Sequence, residues 1–476
     1  KWHRFVLVDL ALWLHVLGCL YGDKFIKSED KPEDETTSKL ELLYPFYNSR
    51  GLRQKFIQVA KAIVTICMAN REHNFSVMLG NYAPSGPTSS ETHLFFCQNG
   101  GPPANDVKKY IHQVWSILRH IREASLRPNV ADPCANSPEL TREVMKLSDV
   151  AHSFVINTTL HRAKKRLPSI EALRETMEPP LLDGFEGKLT HLLLTLANSA
   201  MNSDEARFLS KTRLLWDMTK SPEYAASEGA LQALQAKAQA LEIHAFNLKK
   251  WIEKLLKIET AVSTLYALAV SGRRGGIVVC PLIVHNVPLP SKGSVEVALC
   301  DIKESWCPFG QNRTTTVEQI RTATESVTNH TTLDARVHSE CALVAWTAQH
   351  REEVAPNITL IPYIANSKRH CIACYLWLQS YNKSIRKLVS YENSRGGIQP
   401  GWWPPPMENP EHTWILKTIF SELEYEFYRS KYANSAPVPR LGTIFISPEE
   451  REMMDARKLY RTTKYGSTGT ASDMSK

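Results

Sequence analysis

The sequence lacks the glycine-rich signatures that mark several large enzyme classes. It contains no GxxxxGK[ST] phosphate loop, no GxGxxG dinucleotide fingerprint and no GxSxG nucleophile turn. No internal repeat period stands out either. Nucleoside-triphosphate cleavage, dinucleotide binding and α/β-hydrolase chemistry therefore have no support from the sequence.

The chain also lacks a strong charge excess and a crowded cysteine pattern. Its formal net charge is +8 over 476 residues, which permits an acidic partner such as nucleic acid but does not demand one. Ten cysteines are spread from Cys19 to Cys374, whereas small disulfide scaffolds crowd theirs at short spacings. We therefore expect free thiols in an intracellular compartment, either cytoplasm or nucleus.

A long uninterrupted apolar run is absent as well. The apolar stretch near the start of the chain is broken by Asp9 and His15, and it fits neither a membrane span nor a cleaved export signal. We expect a buried helix there and no membrane association.

The texture of the sequence changes at SGRRGG, residues 271–276. Before this point helical periodicity dominates, apart from a glycine-, proline- and asparagine-rich stretch at 79–106 that predicts a long loop. The predicted helices cover residues 52–72, 107–124, 139–165, 169–177, 184–202, 205–219 and 224–270.

After this point short β-branched runs alternate with helical patterns, which favours an α/β layer structure. The predicted strands are IVVCPLIV, GSVEVALCDI, ITLIPYI (358–364) and KLVSY (387–391), and the predicted helices begin near 337, 371 and 411. We predict a helical region of unassigned function (1–272), an α/β domain (273–432) and a partly disordered C-terminal extension (433–476).

Two short motifs in the second part carry chemistry. His338 and Glu340 open one predicted helix as H-x-E, and Cys371 and Cys374 open the next as C-x-x-C. The cysteines are three residues apart and share a helix face. The helix dipole and the preceding Lys368 and Arg369 would favour their thiolate forms.

Two thiolates and the His338 imidazole would give zinc three protein ligands and leave its fourth position open, as in catalytic sites. Glu340 would then lie beside a metal-bound water and carry its proton. Two alternatives remain: a structural zinc site completed by another ligand such as His370, and a chance pair of buried, inert cysteines.

The two motifs resemble the zinc-dependent nucleoside and nucleic-acid deaminases, whose signature is H-x-E followed by P-C-x-x-C. Here they read HSE at 338–340 and HCIAC at 370–374. The segments YIANSKRHCIAC and SRGGIQPGWWPPP resemble a deaminase-like branch expanded in fungi. The resemblance covers roughly residues 334–406. His370 stands where the family has proline, and Ile398 lies where many relatives carry a histidine.

The resemblance implies a cytidine-deaminase-like three-layer α/β/α domain, so that the chain is α/β, or α+β overall with its mainly helical N-terminal region. It also implies hydrolytic deamination of a cytosine-type or adenine-type base, free or in single-stranded nucleic acid. His338, Cys371 and Cys374 would hold Zn²⁺, and Glu340 would be the catalytic proton carrier. The residues expected to contact substrate are Asn366, Ser367, Lys368, Arg395 and Trp402.

Two questions stay open at this level. Trp402 would either stack on a base or clamp its loop onto the sheet. The chain as a whole would be either the enzyme or a non-catalytic interaction scaffold with a degenerate deaminase-like domain, whose helical half binds a protein partner. Glu340 argues against the scaffold, because decay would remove a proton carrier as readily as a metal ligand.

Overall fold

The computed structural model describes the helices, strands and short connections that build the body of the molecule. The described residues are 50–68, 74–82, 91–100, 102–127, 138–175, 184–226, 248–271, 280–290, 293–298, 330–354, 358–385 and 401–406, with isolated positions 14, 232, 236, 397, 399 and 419. Within these ranges, no helix combines the length and the apolar character that crossing a bilayer requires.

The helices of the first part follow the predicted periodicity closely. They are α1 (Arg50–Cys67), α2 (Ala104–Leu126), α3 (Pro138–Lys164), α4 (Leu167–Glu175), α5 (Phe185–Met201), α6 (Glu205–Thr219), α7 (Pro222–Ala226), α8 (Leu248–Leu255) and α9 (Lys257–Val270). The predicted long helix at 224–270 is therefore interrupted, since a break at Leu256 separates α8 from α9.

The strands occur on both sides of the helical part. They are β1 (Asn74–Tyr82), β2 (Glu91–Asn99), β3 (Leu282–Asn286), β4 (Gly293–Ala298), β5 (His330–Val337), β6 (Thr359–Leu360), β7 (Ala365–Asn366) and β8 (Trp402–Trp403), and two further helices are α10 (Ser339–Val354) and α11 (Ile372–Ile385). The predicted strand at 387–391 and the predicted helix from 411, like the N-terminal apolar run (except Leu14) and residues 433–476, lie outside the described residues.

The predicted loop at 79–106 is wrong for residues 79–82 and 91–99, which lie in strands, and for 104–106, which lie in α2; residues 83–90 and 101 lie outside the described residues. β1 and β2 pair there as an antiparallel hairpin, from Asn74↔Asn99 to Tyr82↔Glu91. Gly80 lies inside β1, where a Cβ atom would come within 2.6 Å of the Ile358 side chain. The glycine therefore permits the close approach of the β6 segment and does not mark a turn.

The hairpin is the centre of the main sheet. Its strand order is β3-β2-β1-β6, with β7 also paired to β1. β2 and β3 run parallel, whereas β6 and β7 are antiparallel to β1. A second sheet has the order β4-β5-β8, and it was only partly anticipated, because β5 and β8 carried no strand prediction.

Helices cover both faces of the main sheet. On one face, Val77 and Leu79 of β1 and Leu94 and Phe96 of β2 belong to one hydrophobic core with residues of α1, α2, α3 and α9. On the other face, α10 contacts β1 and β2. The predicted three-layer α/β/α arrangement is confirmed. The domain division at 272/273 stays a prediction, but the sheet takes strands from both sides of it.

A buried polar cluster ties α9 to α3. Glu259 Oε1 accepts a hydrogen bond from Ser148 Oγ at 3.0 Å and lies 2.9 Å from His152 Nε2. Burial would raise the pKa of Glu259, but the hydrogen bond and charge of His152, the Ser148 hydroxyl and the nearby Arg213 outweigh it and lower that pKa. Glu259 is therefore ionised at neutral pH, inside the helical layer.

We expect Glu259→Ala to destabilise the fold by about 2 kcal/mol or more, because the buried Ser148 hydroxyl and His152 ring lose the carboxylate that they contact. The folded-state pKa lies below the ordinary value of 4.5, so the unfolded chain binds more protons in this range. The stabilisation that ionised Glu259 contributes is fully present above the ordinary pKa of 4.5. It is lost as the pH falls through the lower pKa of the folded state.

Denaturant unfolding between pH 3 and pH 8 measures the difference in the free energy of unfolding between the wild type and Glu259→Ala. The exposed Glu253→Ala on α8 is the matched control. A gap between wild type and Glu259→Ala that does not shrink at low pH would contradict the assignment.

Candidate metal centre

Consecutive helix starts bring the two sequence motifs together. His338 lies between the end of β5 and the start of α10, and its carbonyl accepts the hydrogen bond of Ala342 N at 3.0 Å. Cys371 directly precedes α11, and its carbonyl accepts from Tyr375 N at 3.0 Å. Both residues thus close the first turn of a helix, as the sequence predicts.

The three predicted ligands converge. His338 Nδ1 lies 3.1 Å from Cys374 Sγ and 3.6 Å from Cys371 Sγ. All three ligand atoms lie within 4.8 Å of one another, and among the described residues this is the only group of three or more His, Cys, Asp or Glu side chains with such spacing. Tetrahedral zinc bonds would place nitrogen and sulfur about 3.6 Å apart and the two sulfurs about 3.8 Å apart.

The donor set is the kind that binds zinc. One imidazole nitrogen and two sulfurs match the ligands of three-protein-ligand zinc sites, in which the fourth position is left for water or substrate. Both cysteines are buried, while His338 is half-buried. The residues present therefore fit a zinc ion held by three protein ligands.

The protonation of the cysteines differs from the expectation. Burial, together with their closeness to other thiols, raises the pKa of Cys371 and of Cys374 well above the ordinary thiol value. The helix start, Lys368 and Arg369 do not offset this burial. Thiolates at this site therefore depend on a bound cation as counter-charge, which would displace the protons on binding.

A tryptophan supports one of the two sulfurs. Trp402 is 1% exposed, and its indole Nε1 donates to Cys374 Sγ at 3.1 Å. β8 reaches this position because Arg336 and Val337 of β5 pair with Trp402 and Trp403. Of the two roles considered for Trp402, the structure shows the buried, packed one, and its ring face is not available for stacking on a base.

Glu340 lies in the first turn of α10, and its side chain is held by hydrogen bonds. It is 2% exposed, Oε2 accepts from Asn74 Nδ2 at 2.9 Å, and Oε1 lies 3.4 Å from His370 Nδ1. Burial would raise the pKa of Glu340, but the hydrogen bond from His370 and the charges of His338 and His370 outweigh it and lower that pKa. The residue is thus a carboxylate at neutral pH, the form that accepts a proton.

His370 takes no part in the ligand group. Its ring is fully buried, and its nitrogens face Asn366 Nδ2 at 3.0 Å and Glu340 Oε1 at 3.4 Å. The ligand set considered in the structural-zinc alternative, with His370 as the fourth ligand, therefore has no geometric support.

The remaining predicted substrate residues have different placements. Asn366 ends β7 beside His370, and Ser367 Oγ accepts from Phe75 N at 2.9 Å. Lys368 is half-buried on the same segment. Arg395 lies outside the described residues. Substrate contact by these residues stays a prediction.

Sequence reasoning missed Asn74. It precedes Glu340 by 266 residues, in the segment at which helical periodicity ends and the loop prediction begins. Nothing in the local pattern around Asn74 points to a metal centre. The packing of α10 against β1, with Ser76 Oγ 2.7 Å from Ser339 Oγ, brings this side chain to the start of α10.

Comparison with known proteins agrees with the geometry. Residues 337–406 match the model of a family described as OTT_1508-like deaminase (OTT_1508_deam). No curated protein and no solved structure matches the chain. The matched segment contains His338, Glu340, Cys371, Cys374 and Trp402. Residues 337–406 thus match a family of the deaminase superfamily, and the histidine–cysteine–cysteine cluster inside this segment fits a zinc site.

Proposed function

We propose that this chain is a zinc-dependent hydrolytic deaminase that acts on an amino-nucleobase. The observation that carries the proposal is the convergence of His338, Cys371 and Cys374 within 4.8 Å, inside the deaminase-family segment. The ionised, buried Glu340 two residues after the histidine supplies the group that the reaction needs for proton transfer.

The roles follow from the donor set and from the buried carboxylate. When bound, zinc supplies a water of pKa near 7 and an electrophilic centre. His338, Cys371 and Cys374 would hold the ion through one nitrogen and two sulfurs. Glu340 accepts one proton of the attacking water and delivers it to the ring nitrogen of the base. It then takes the second proton from the newly added hydroxyl and delivers it to the departing amine. The C–N bond breaks, ammonia leaves and a carbonyl forms.

The proposed substrates are cytosine-type or adenine-type bases, free or in single-stranded nucleic acid, in an intracellular setting. A base inside a duplex would have to be flipped out before it reached a buried centre. We propose that the helical half is part of the catalytic domain, because its helices share a hydrophobic core with the sheet. These helices are α1, α2, α3 and α9. A partner bound by that half remains a separate proposal.

Purified wild-type protein is expected to carry about one zinc per chain, as a three-ligand protein site does. His338→Ala and Cys374→Ala are each expected to lower zinc affinity by more than about 100-fold. Loss of a residue that only hydrogen-bonds a ligand costs about 10- to 100-fold, and loss of a ligand itself should cost more. Metal analysis of the dialysed proteins measures both effects.

Cys67→Ala is the matched control. Cys67 is a buried thiol at the end of α1 and lies outside the ligand group, so the variant should keep its zinc. A wild-type protein that contains no zinc would contradict the enzyme proposal. Equal zinc loss in the two ligand variants and the control would show that His338 and Cys374 are not specific ligands.

Glu340→Gln should keep zinc and lose catalysis. The amide has nearly the shape of the carboxylate but cannot carry the proton, so ammonia release should fall by about 10²–10⁴-fold. The assay is ammonia release from cytosine and adenine bases, as nucleosides and in single-stranded oligonucleotides.

Glu91→Gln serves as its control. Glu91 lies opposite Tyr82 at one end of the β1–β2 hairpin, whereas Asn74, which contacts Glu340, lies opposite Asn99 at the other end. Full zinc and unchanged ammonia release in Glu340→Gln would contradict the assigned role of Glu340.

A further inference from the structure

The two oxygens of the Glu340 carboxylate are held by residues from different segments of the chain. Asn74 Nδ2, at the start of β1, donates to Oε2 at 2.9 Å. His370, just before α11, brings Nδ1 to within 3.4 Å of Oε1. Ser339 Oγ adds a longer contact to Oε2 at 3.4 Å.

The orientation of the Asn74 amide is fixed by its other neighbour. Ser367 Oγ accepts from Phe75 N at 2.9 Å and donates to Asn74 Oδ1 at 3.3 Å. The backbone of Ser367 is also tied to the strand, since its N donates to Phe75 O at 2.9 Å. Because Oδ1 already has a donor, the Nδ2 side of the amide faces the carboxylate.

His370 lies between Asn366 and Glu340. Asn366 Nδ2 is 3.0 Å from His370 Nε2 and 3.3 Å from Nδ1, and Nδ1 also faces Glu340 Oε1 at 3.4 Å. The ring is fully buried, which holds it in this arrangement.

We propose that Asn74 and His370 are positioning residues that fix the Glu340 carboxylate, with one donor on each oxygen. The proposal rests on the proposed role of Glu340 as proton carrier. A carboxylate is an effective proton carrier only if it is held within hydrogen-bond reach of the group it serves. Two donors on opposite oxygens remove the rotation about the terminal bond that would spoil that placement.

One consequence concerns the extent of the functional unit. Asn74 lies far outside the deaminase-family segment 337–406, on the hairpin that begins the main sheet. The segment that carries the metal ligands and Glu340 therefore lacks one of the two donors that fix its own carboxylate. The catalytic unit includes β1.

A double-mutant cycle on stability tests the Asn74–Glu340 pair without reference to activity. In the zinc-loaded full chain, Asn74→Ala should lower the folding equilibrium constant about tenfold or more, as expected for a hydrogen bond to a charged group. In the Glu340→Ala background the same change should cost less than about threefold, because the partner is gone. Equal costs in both backgrounds would overturn the proposal.

Gln98→Ala is the matched control for this cycle. Gln98 lies on β2, opposite Phe75, and its amide donates to Pro102 O at 2.7 Å, away from Glu340. Its cost should agree within about twofold in the two backgrounds, as distant sites are additive.

Steady-state ammonia release then separates positioning from a general structural role. Asn74→Ala should lose about tenfold or more in kcat, with KM within about twofold and zinc unchanged, since the lost interaction acts on the proton transfer. His370→Asn keeps an N–H near the place of Nδ1 and should retain more kcat than His370→Ala. A rise in KM with unchanged kcat would instead make Asn74 a substrate contact and overturn the proposal.

The two proposals fail in different ways. If the wild-type protein releases no ammonia from any of the tested bases, the deaminase proposal fails. The stability cycle still decides whether Asn74 holds the carboxylate, since it needs no substrate.

Discussion

The pairing of β1 with the short strands β6 and β7 is the constraint on which the site depends. It joins Ser76 to Asn366 and Val77 to Ala365, two segments almost 300 residues apart. Gly80 makes the close approach of the Ile358 side chain possible. The β7 pairing anchors the segment before α11 to β1, where Ser367 also contacts Phe75 and Asn74. The packing of α10 against β1 brings Glu340 to Asn74.

The metal centre itself depends on a second, more local device. Each of the two helix starts presents one part of the ligand set, with His338 before α10, Cys371 before α11 and Cys374 in the first turn of α11. The burial that shields these groups opposes their ionisation, and it raises the pKa of both thiols. A cation reverses this balance, so that metal binding and deprotonation are coupled at the site. Trp402, which donates to Cys374 Sγ, favours the charged sulfur in the same direction.

The sequence predicted the local parts of this arrangement well. Helices with strong apolar periodicity were predicted within a few residues, because each buries a stripe against the core. The positions of His338, Glu340, Cys371 and Cys374 at two helix starts were predictable because H-x-E and C-x-x-C each act over a single helical turn. The β1–β2 hairpin was not predictable, since glycine and asparagine at positions 80 and 81 are typical of turns. Position 80 requires glycine because the Ile358 side chain packs against it, and Ile358 is distant in sequence. For the same reason Asn74 and the hydrogen bonds of His370 carried no sequence signal.

The most direct test of the account is X-ray absorption at the zinc edge of the purified full chain. The account predicts two sulfurs at about 2.3 Å and two nitrogen or oxygen neighbours at about 2.0–2.1 Å, one of them exchangeable. In His338→Ala that first shell should be lost or rebuilt. A wild-type protein without zinc, or with a shell that lacks sulfur or contains four protein ligands, would contradict it.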